Sequence, residues 1–142
     1  MLNKSVFLFS NFGGKKFMTI NDKFPDYFPS CCPPADAIDA NGVVFRVVKN
    51  EDLTSTDFLS HHELGTAITA NSCSRCGVSV FNSFQNALHL QRMRPRLGNA
   101  IAEGNLNSSA GKMLLTIKSG HIDWWSYDGV ERQSFFGKPR FC

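Results

Sequence analysis

The pattern of apolar and polar residues along the chain predicts five β-strands. The strongest signal is at 43–48, Val-Val-Phe-Arg-Val-Val, where β-branched and aromatic residues follow one another almost without interruption. Such a run is typical of a central strand that is buried on both faces. Four further strands are predicted at 77–81, 99–103, 112–118 and 121–127. Gly104 ends the strand at 99–103, and Ser119-Gly120 joins the last two strands into a hairpin.

A first helix is predicted at about 56–63. Thr54 or Ser55 can cap its N-terminus by accepting a hydrogen bond from a backbone amide, and Gly65 can end it. The end of this helix carries His61-His62-Glu63. These side chains suit acid–base chemistry, but a histidine near a helix C-terminus is also favoured by the helix dipole alone.

A second helix is predicted from Asn82 to about Met93. Gln85 follows Asn82 by three residues, which is the spacing of a capping box. Apolar side chains recur along one stripe of this segment, as expected for a helix that packs on a sheet. Pro95 then ends the helix, because proline cannot continue the backbone hydrogen bonds.

The order of these elements predicts one α+β domain over residues 19–142. Its sheet is mixed or mainly antiparallel and carries two short helices. Residues 19–42 are rich in proline and aspartate and are predicted to form an extended lead-in over the surface. Residues 1–18 are interpreted as an N-terminal extension, with Met18 as a second start. A packed strand at 5–9 is the competing interpretation.

Composition narrows the class of protein. The chain has 142 residues, 42% of them apolar and 19% charged, which is typical of a globular domain. Its net charge of +3 gives only a weak case for nucleic acid as a partner. No apolar run approaches the length of a membrane span, and Lys15-Lys16 stands where a signal peptide would be cleaved. We therefore expect a cytoplasmic protein with no membrane partner.

The five cysteines include the motif Cys73-Ser74-Arg75-Cys76. An odd number of cysteines without a secretory signal indicates reduced thiols. Cys73 and Cys76 have the spacing of two zinc ligands, and the remaining two ligands would come from His61 and His62 or from Cys31-Cys32. The alternatives are a redox pair and two ordinary cysteines at a sheet edge, since the motif precedes a strand.

Arg46 is a charged residue inside the most apolar strand of the chain. A buried guanidinium needs acceptors, so Arg46 is either ion-paired at the edge of the core or facing a cleft. In a cleft it would bind a phosphate or a carboxylate with two parallel hydrogen bonds.

The segment Gly120-His121-Ile122-Asp123-Trp124-Trp125 also combines several chemical groups. On a strand, His121, Asp123 and Trp125 share one face because side chains alternate. That face suits a pocket wall in which a ring stacks and a His–Asp pair titrates. The alternative is a tryptophan pair that straddles the sheet, with His121 and Asp123 at a wet edge.

Residues 92–96, Arg-Met-Arg-Pro-Arg, form the basic cluster of the chain. Three arginines this close can bind phosphates or a nucleic-acid backbone. The alternative is a solvated helix end, where cations are favoured.

In chain order, the strings V-V-F-R-V-V, D-F-L-S, C-x-x-C-G-V-S-V-F, I-A-E-G-N-L and G-H-x-x-W-W resemble a group of short uncharacterised bacterial proteins over residues 24–127. A second resemblance is to compact ADP-ribosyltransferase-like domains. It rests on Arg46 in the first strand, and on Val78-Ser79-Val80-Phe81 leading into a helix that carries Ala87. The chain has neither the Glu-x-Glu nor the Ser-Thr-Ser of such domains.

The second resemblance implies an enzyme that binds NAD or a phosphorylated nucleotide. Arg46 would contact phosphate beside Ser79, while His121 or Glu103 would lie near the ribose. Trp124 or Trp125 would stack on the ligand. The alternative function is a non-catalytic module that docks a protein or a nucleic acid through exposed aromatic residues and arginines such as Arg94, in either case with or without zinc.

Overall fold

The computed structural model describes residues 4–11 and 14–142. Its first two strands are β1, Lys4–Asn11, and β2, Gly14–Asn21, which pair antiparallel in a sheet of their own. The strand predicted at 5–9 is part of β1. The extension predicted at 1–18 falls on these two strands, and its remaining residues lie outside the described residues.

The main sheet has seven strands, and each neighbouring pair is antiparallel. The strands are β3 Ile38–Asp39, β4 Gly42–Val48, β5 Val78–Phe81, β6 Ala100–Leu106, β7 Gly111–Thr116, β8 His121–Ser126 and β9 Arg140–Phe141. Their order across the sheet is β3-β7-β8-β5-β4-β6-β9. This confirms the predicted α+β class, the antiparallel sheet and the β7–β8 hairpin.

Helical segments connect the strands. The α-helices are α1 His61–Leu64, α2 Ser72–Arg75 and α3 Phe84–Met93. Short 3-10 helices occupy Ser55–Phe58, Pro95–Leu97, Ser108–Ala110 and Arg132–Phe135. In the part of the chain that the structure describes, no helix combines the length and the apolar character that crossing a membrane requires.

The helix predicted at 56–63 is two pieces. Leu59 is extended (φ −81°, ψ 140°) and interrupts it. Ser60 then starts α1 with its own capping box, because Ser60 Oγ accepts from Glu63 N at 3.2 Å while Glu63 Oε1 accepts from Ser60 N at 2.9 Å. Gly65 ends α1 in the left-handed conformation (φ 69°), as predicted. Since α1 is a single turn, His61 and His62 lie in its last turn as well as its first, in agreement with their predicted position at a helix end.

The start of α3 also differs from the prediction. Its N-cap is Ser83, whose Oγ accepts a hydrogen bond from Asn86 N at 3.1 Å. Asn82 lies one residue earlier, and its side-chain oxygen accepts from Asn86 Nδ2 at 3.0 Å instead. The predicted capping box of Asn82 and Gln85 was therefore wrong, because the N-cap is the next residue, Ser83.

Gly104 continues β6 rather than ending it. A Cβ at this position would lie 2.6 Å from Cδ2 of Phe136, so the glycine makes room for that ring against the strand. The strand then runs on to Leu106. Gly104, which was predicted to end a strand, is thus needed inside the strand so that the Phe136 ring can pack there.

Buried apolar side chains cover both faces of the main sheet. Val44 and Val48 belong to one cluster, which includes Phe58 and the fully buried Trp124. Val47 belongs to the second cluster, against which α3 packs. Since side chains alternate along β4, the two clusters lie on opposite faces.

A disulfide joins Cys32 to Cys73, 41 residues apart. It ties the lead-in to α2, a helix that was not predicted and that begins where Asn71 accepts hydrogen bonds from the amides of Cys73 and Ser74. Cys76 is a free, buried thiol. The expectation of five reduced cysteines is therefore wrong for this pair.

Candidate functional site

The main sheet opens between β4 and β5. Along β4, all seven residues pair with β6, whereas β5 is paired only through Phe45 and Phe81. β5 in turn stays paired with β8 along all four of its residues. The two central strands therefore separate beyond Phe45, and a cleft begins there.

The cleft is a cavity of about 360 Å³. Its size falls within the range of about 300–1,000 Å³ that is usual for small-molecule sites. Apolar side chains form part of its wall, among them Leu59, Leu64, Phe81, Leu90 and Leu97. Four cationic side chains, Arg46, Lys49, Arg94 and Arg96, line the rest together with His61, Ser79 and His121.

Arg46 bridges the opening between the strands. Its Nε donates to the carbonyl of Asp57 at 2.8 Å and its guanidinium also donates to the carbonyls of Ser79 at 2.7 Å and Leu59 at 3.4 Å. Burial lowers the pKa of Arg46 to about 10, with the charge of Arg132 acting in the same direction. Among residues 22–142 no ion pair joins Arg46 to a carboxylate. Arg46 therefore lines the cleft, and its guanidinium bonds to backbone carbonyls rather than to a carboxylate.

Local backbone geometry carries Arg94 and Arg96 to the cleft. Arg94 leaves the helical conformation (φ −135°, ψ 71°), as expected for the residue before a proline. Residues Pro95–Leu97 then make a 3-10 turn that ends at Gly98 (φ 151°). A Cβ on Gly98 would overlap the carbonyl oxygen of Val48, so the glycine lets this turn pack against the end of β4.

His121 contacts Ser79 across the β5–β8 pair. The distance between His121 Nε2 and Ser79 Oγ is 2.9 Å. The His121 ring also packs edge-on against Phe81, with centroids 5.5 Å apart. Both contacts follow from the register, which places Phe81 opposite His121 and Ser79 opposite Asp123.

Asp123 lies on the same face of β8 as His121. Burial raises the pKa of its carboxyl above the usual 3.8, while the nearby His121 and His61 act in the opposite direction. The backbone of Gly77 approaches this carboxyl closely, since a Cβ there would lie 3.3 Å from Asp123 Oδ1. In the described side chains no hydrogen bond joins Asp123 to His121.

His61 lies in the cleft wall, where burial and nearby arginines both act on its pKa. Burial lowers its pKa first, and the charges of Arg46, Arg75 and Arg94 lower it further. Its Nδ1 lies 2.8 Å from Thr66 Oγ1. In the sequence, His61 was marked only as one of two adjacent histidines; the signal that was missed is Ser60-x-x-Glu63, a capping-box spacing that starts a helix just after Leu59.

The acidic side chain in the cleft wall does not balance these cations. The Asp57 carboxylate caps the turn at Thr54 by accepting from Thr54 N at 3.0 Å and from Asn50 Nδ2 at 3.1 Å. None of the ion pairs found among residues 22–142 includes Lys49, Arg94 or Arg96. The cleft therefore carries a surplus of positive charge.

Other predicted site residues lie elsewhere. Glu103 is exposed on β6, opposite Phe45, and does not line the cleft. Trp124 and Trp125 are 0% and 2% exposed and straddle the sheet, so neither indole is available to stack on a ligand. Trp124 Nε1 donates to the carbonyl of Ala110, and Trp125 Nε1 to that of Cys73.

The cysteine motif does not form the expected pair of metal ligands. Cys73 is bonded to Cys32, so it has no free thiolate to share with Cys76. Burial raises the pKa of the Cys76 thiol, which disfavours its thiolate. Among the residues that the structure describes, no three histidine, cysteine or acidic side chains are grouped so as to hold a metal ion.

No family model, curated protein or solved structure matches this chain. Its function is therefore inferred from the cleft itself.

Proposed function

We propose that the cleft binds a small phosphorylated molecule of about mononucleotide size. The observation that carries this proposal is the convergence of Arg46, Lys49, Arg94 and Arg96 on one cavity without carboxylate partners. Guanidinium groups match the geometry of phosphate oxygens, and a partly desolvated site strengthens the attraction. A phosphate would offset the surplus of positive charge that remains after the Asp57 carboxylate is counted.

The apolar part of the wall supports a ligand with a flat or apolar portion. Phe81, Leu90 and Leu97 line the cavity on the side from which α3 and the following turn approach. A base or another ring could be buried there while the phosphate meets the arginines. A cavity of about 360 Å³ suits one nucleotide half of NAD better than the whole dinucleotide.

The resemblance to ADP-ribosyltransferase-like domains is consistent with this proposal only in part. Arg46, Ser79 and His121, which it implied as site residues, do share the cleft. Glu103 and the two tryptophans do not. NAD is therefore one of the ligands to test, and a transferase reaction on NAD is not required by the proposal.

The docking-module alternative depends on the arginines at 92–96. Arg94 and Arg96 line the cleft, whereas Arg92 is exposed on α3 outside it. This division favours a small ligand over an extended polyanion, which would use all three.

The test is a ligand titration followed by calorimetry and by thermal unfolding. We expect adenosine monophosphate to bind and adenosine to bind far more weakly, because adenosine lacks the phosphate. At a ligand concentration of 100 times Kd, binding would raise the free energy of unfolding by about 2.7 kcal/mol. Affinity should fall with added salt, which screens exposed cations.

Variants assign the binding to the cleft. Arg94→Ala and Arg96→Ala should each weaken adenosine monophosphate binding about tenfold, since a hydrogen bond to a charged group contributes roughly 1.5–3 kcal/mol. Arg92→Ala is the matched control and should bind normally. If adenosine monophosphate, NAD and inorganic phosphate all fail to bind the wild-type protein, the proposal is wrong.

A further inference from the structure

We propose that Ser79 is a nucleophile and His121 its general base, so that the cleft hydrolyses a phosphate monoester. This inference rests on the proposed function, which supplies the expectation that the substrate carries a phosphate. It assigns a reaction to two residues of the cleft wall.

The distance between the two side chains supports this assignment. Ser79 Oγ lies 2.9 Å from His121 Nε2, within the range of about 2.6–3.2 Å that an activated nucleophile and its base require. When Nε2 carries no proton, Ser79 Oγ donates its hydrogen to it. Both residues line the cavity, so a substrate phosphorus can approach the serine oxygen.

The fold holds both groups in place. Ser79 is on the central strand β5, and Arg46 donates to its backbone carbonyl at 2.7 Å. His121 begins β8, where its ring packs against Phe81 and its backbone N donates to Ser119 Oγ at 3.3 Å. Fixed positions of this kind lower the entropy cost of reaching the reactive geometry.

The cations of the cleft supply the stabilisation that such a reaction needs. Negative charge is spread over the equatorial oxygens as phosphorus is transferred, and positioned positive groups stabilise it. Arg94 and Arg96 line the same cavity as Ser79. A monoester dianion suits this charge better than a neutral ester does.

The reaction has two steps. Ser79 Oγ forms a bond to phosphorus and the bond from phosphorus to the ester oxygen breaks. The serine proton passes to His121 Nε2 and then to the departing oxygen. Water next forms a bond to phosphorus, the bond to Ser79 Oγ breaks, and the water proton returns through His121 to the serine. The products are an alcohol and inorganic phosphate, and no electrons are gained or lost.

A fluorophosphonate probe tests the nucleophile directly, because it loses fluoride when a serine attacks its phosphorus. We expect intact-mass and peptide analysis to find one adduct, on Ser79. Ser79→Ala should abolish this adduct, and the exposed Ser134→Ala is the matched control. His121→Ala should slow labelling at least about 100-fold, since a positioned base contributes roughly 10²–10⁴-fold. Added imidazole should restore part of the rate in His121→Ala, which a purely structural contact would not allow.

Turnover tests the substrate class. Wild-type protein should release 4-nitrophenol from 4-nitrophenyl phosphate and inorganic phosphate from adenosine monophosphate, and Ser79→Ala should release neither. If wild-type protein binds adenosine monophosphate but Ser79 is neither labelled nor required for turnover, this inference is wrong and the proposed function stands. If Ser79 is labelled but no phosphate compound binds or turns over, the phosphate substrate and the proposed function are both wrong.

Discussion

Arg46 occupies a position in β4 whose neighbours are all apolar, and its guanidinium bonds to the carbonyls of Asp57, Ser79 and Leu59. The bond to Ser79 crosses the gap where the ladder between β4 and β5 is interrupted, and the other two reach the segment at 57–59. A side chain with several fixed donors can bond to carbonyls on different segments at once, which an apolar residue cannot do. Arg46 therefore closes one side of the cleft while contributing charge to it.

We expect Arg46→Met to lower the free energy of unfolding by about 3 kcal/mol. Buried carbonyls that lose their donor each cost roughly 1–3 kcal/mol, and water entering the cleft would solvate some of them. Arg46→Lys should lower the free energy of unfolding by less, because an ammonium group can still reach one carbonyl. Urea unfolding measures both, with Arg92→Met as the exposed control, and equal stability of wild type and Arg46→Met would contradict this role.

Asp123 predicts a pH dependence of stability. Burial raises its pKa in the folded protein above the usual 3.8. Between the two pKa values the folded chain holds a proton that the unfolded chain has released, so the free energy of unfolding falls as pH rises through this window. Above the folded pKa, the contribution of Asp123 to the free energy of unfolding no longer changes with pH.

Asp123→Asn removes this contribution. The stability of the variant relative to wild type should therefore increase as pH rises from about 3.8 toward neutrality. Urea unfolding at several pH values measures the difference. Parallel curves for the two proteins would show that the carboxyl is not destabilised by burial.

At the scale of elements, the turn at Pro95–Leu97 determines which arginines line the cleft. It starts at Arg94 because proline disfavours helix at the residue before it, and it ends at Gly98 because any Cβ there would clash with β4. Two local signals thus place two arginines beside a strand that is distant in sequence. A third arginine, Arg92, is exposed on α3 and does not line the cleft.

We expect Gly98→Ala to weaken adenosine monophosphate binding as well as stability. The new Cβ would overlap the carbonyl oxygen of Val48, so the turn that carries Arg94 must move. Gly129→Ala is a control for the conformational cost alone, since Gly129 also has a positive φ (78°) but an added Cβ there would meet no atom within 4 Å. Calorimetry should show weaker binding only in the Gly98 variant. Unchanged binding in that variant would contradict the claim that the position of the turn matters for the site.

The elements that the sequence predicts well are those with local signals. Continuous β-branched residues define β4, and Pro95 marks the end of α3 within two residues. The break at Leu59 was missed although it has a local signal too, since Ser60-x-x-Glu63 has the spacing of a capping box and starts a new helix. The disulfide was not predictable, since Cys32 and Cys73 are brought together only by the folded lead-in.

The same difference between local and long-range signals explains which features of the site could be predicted. Alternation along a strand correctly puts His121 and Asp123 on one face, and pairing with β5 brings Ser79 beside them. Alternation says nothing about how deeply each residue is buried. Trp125 shares that face, but it is covered near α2, where it donates to the carbonyl of Cys73.

At the scale of the whole molecule, the cleft is assembled from five parts of the chain, at 46–49, 56–64, 77–81, 90–97 and His121. Arg46, Ser79 and His121 come from three strands of one sheet, and the arginines at 94 and 96 come from a turn. The sheet fixes the relative positions of the first three, because β5 pairs with both β4 and β8. Binding at the cleft should therefore depend on the main sheet rather than on the β1–β2 pair.

A chain that begins at Thr19 tests this dependence. Both buried clusters are built from residues 40–136, and all seven strands of the main sheet lie between 38 and 141. We therefore expect the shortened protein to unfold cooperatively, with a Tm within a few degrees of the full chain. Its affinity for adenosine monophosphate should also be unchanged. A shortened chain that is unfolded by circular dichroism would show that β1 and β2 stabilise the main domain, and would contradict the domain boundary predicted at 18–19.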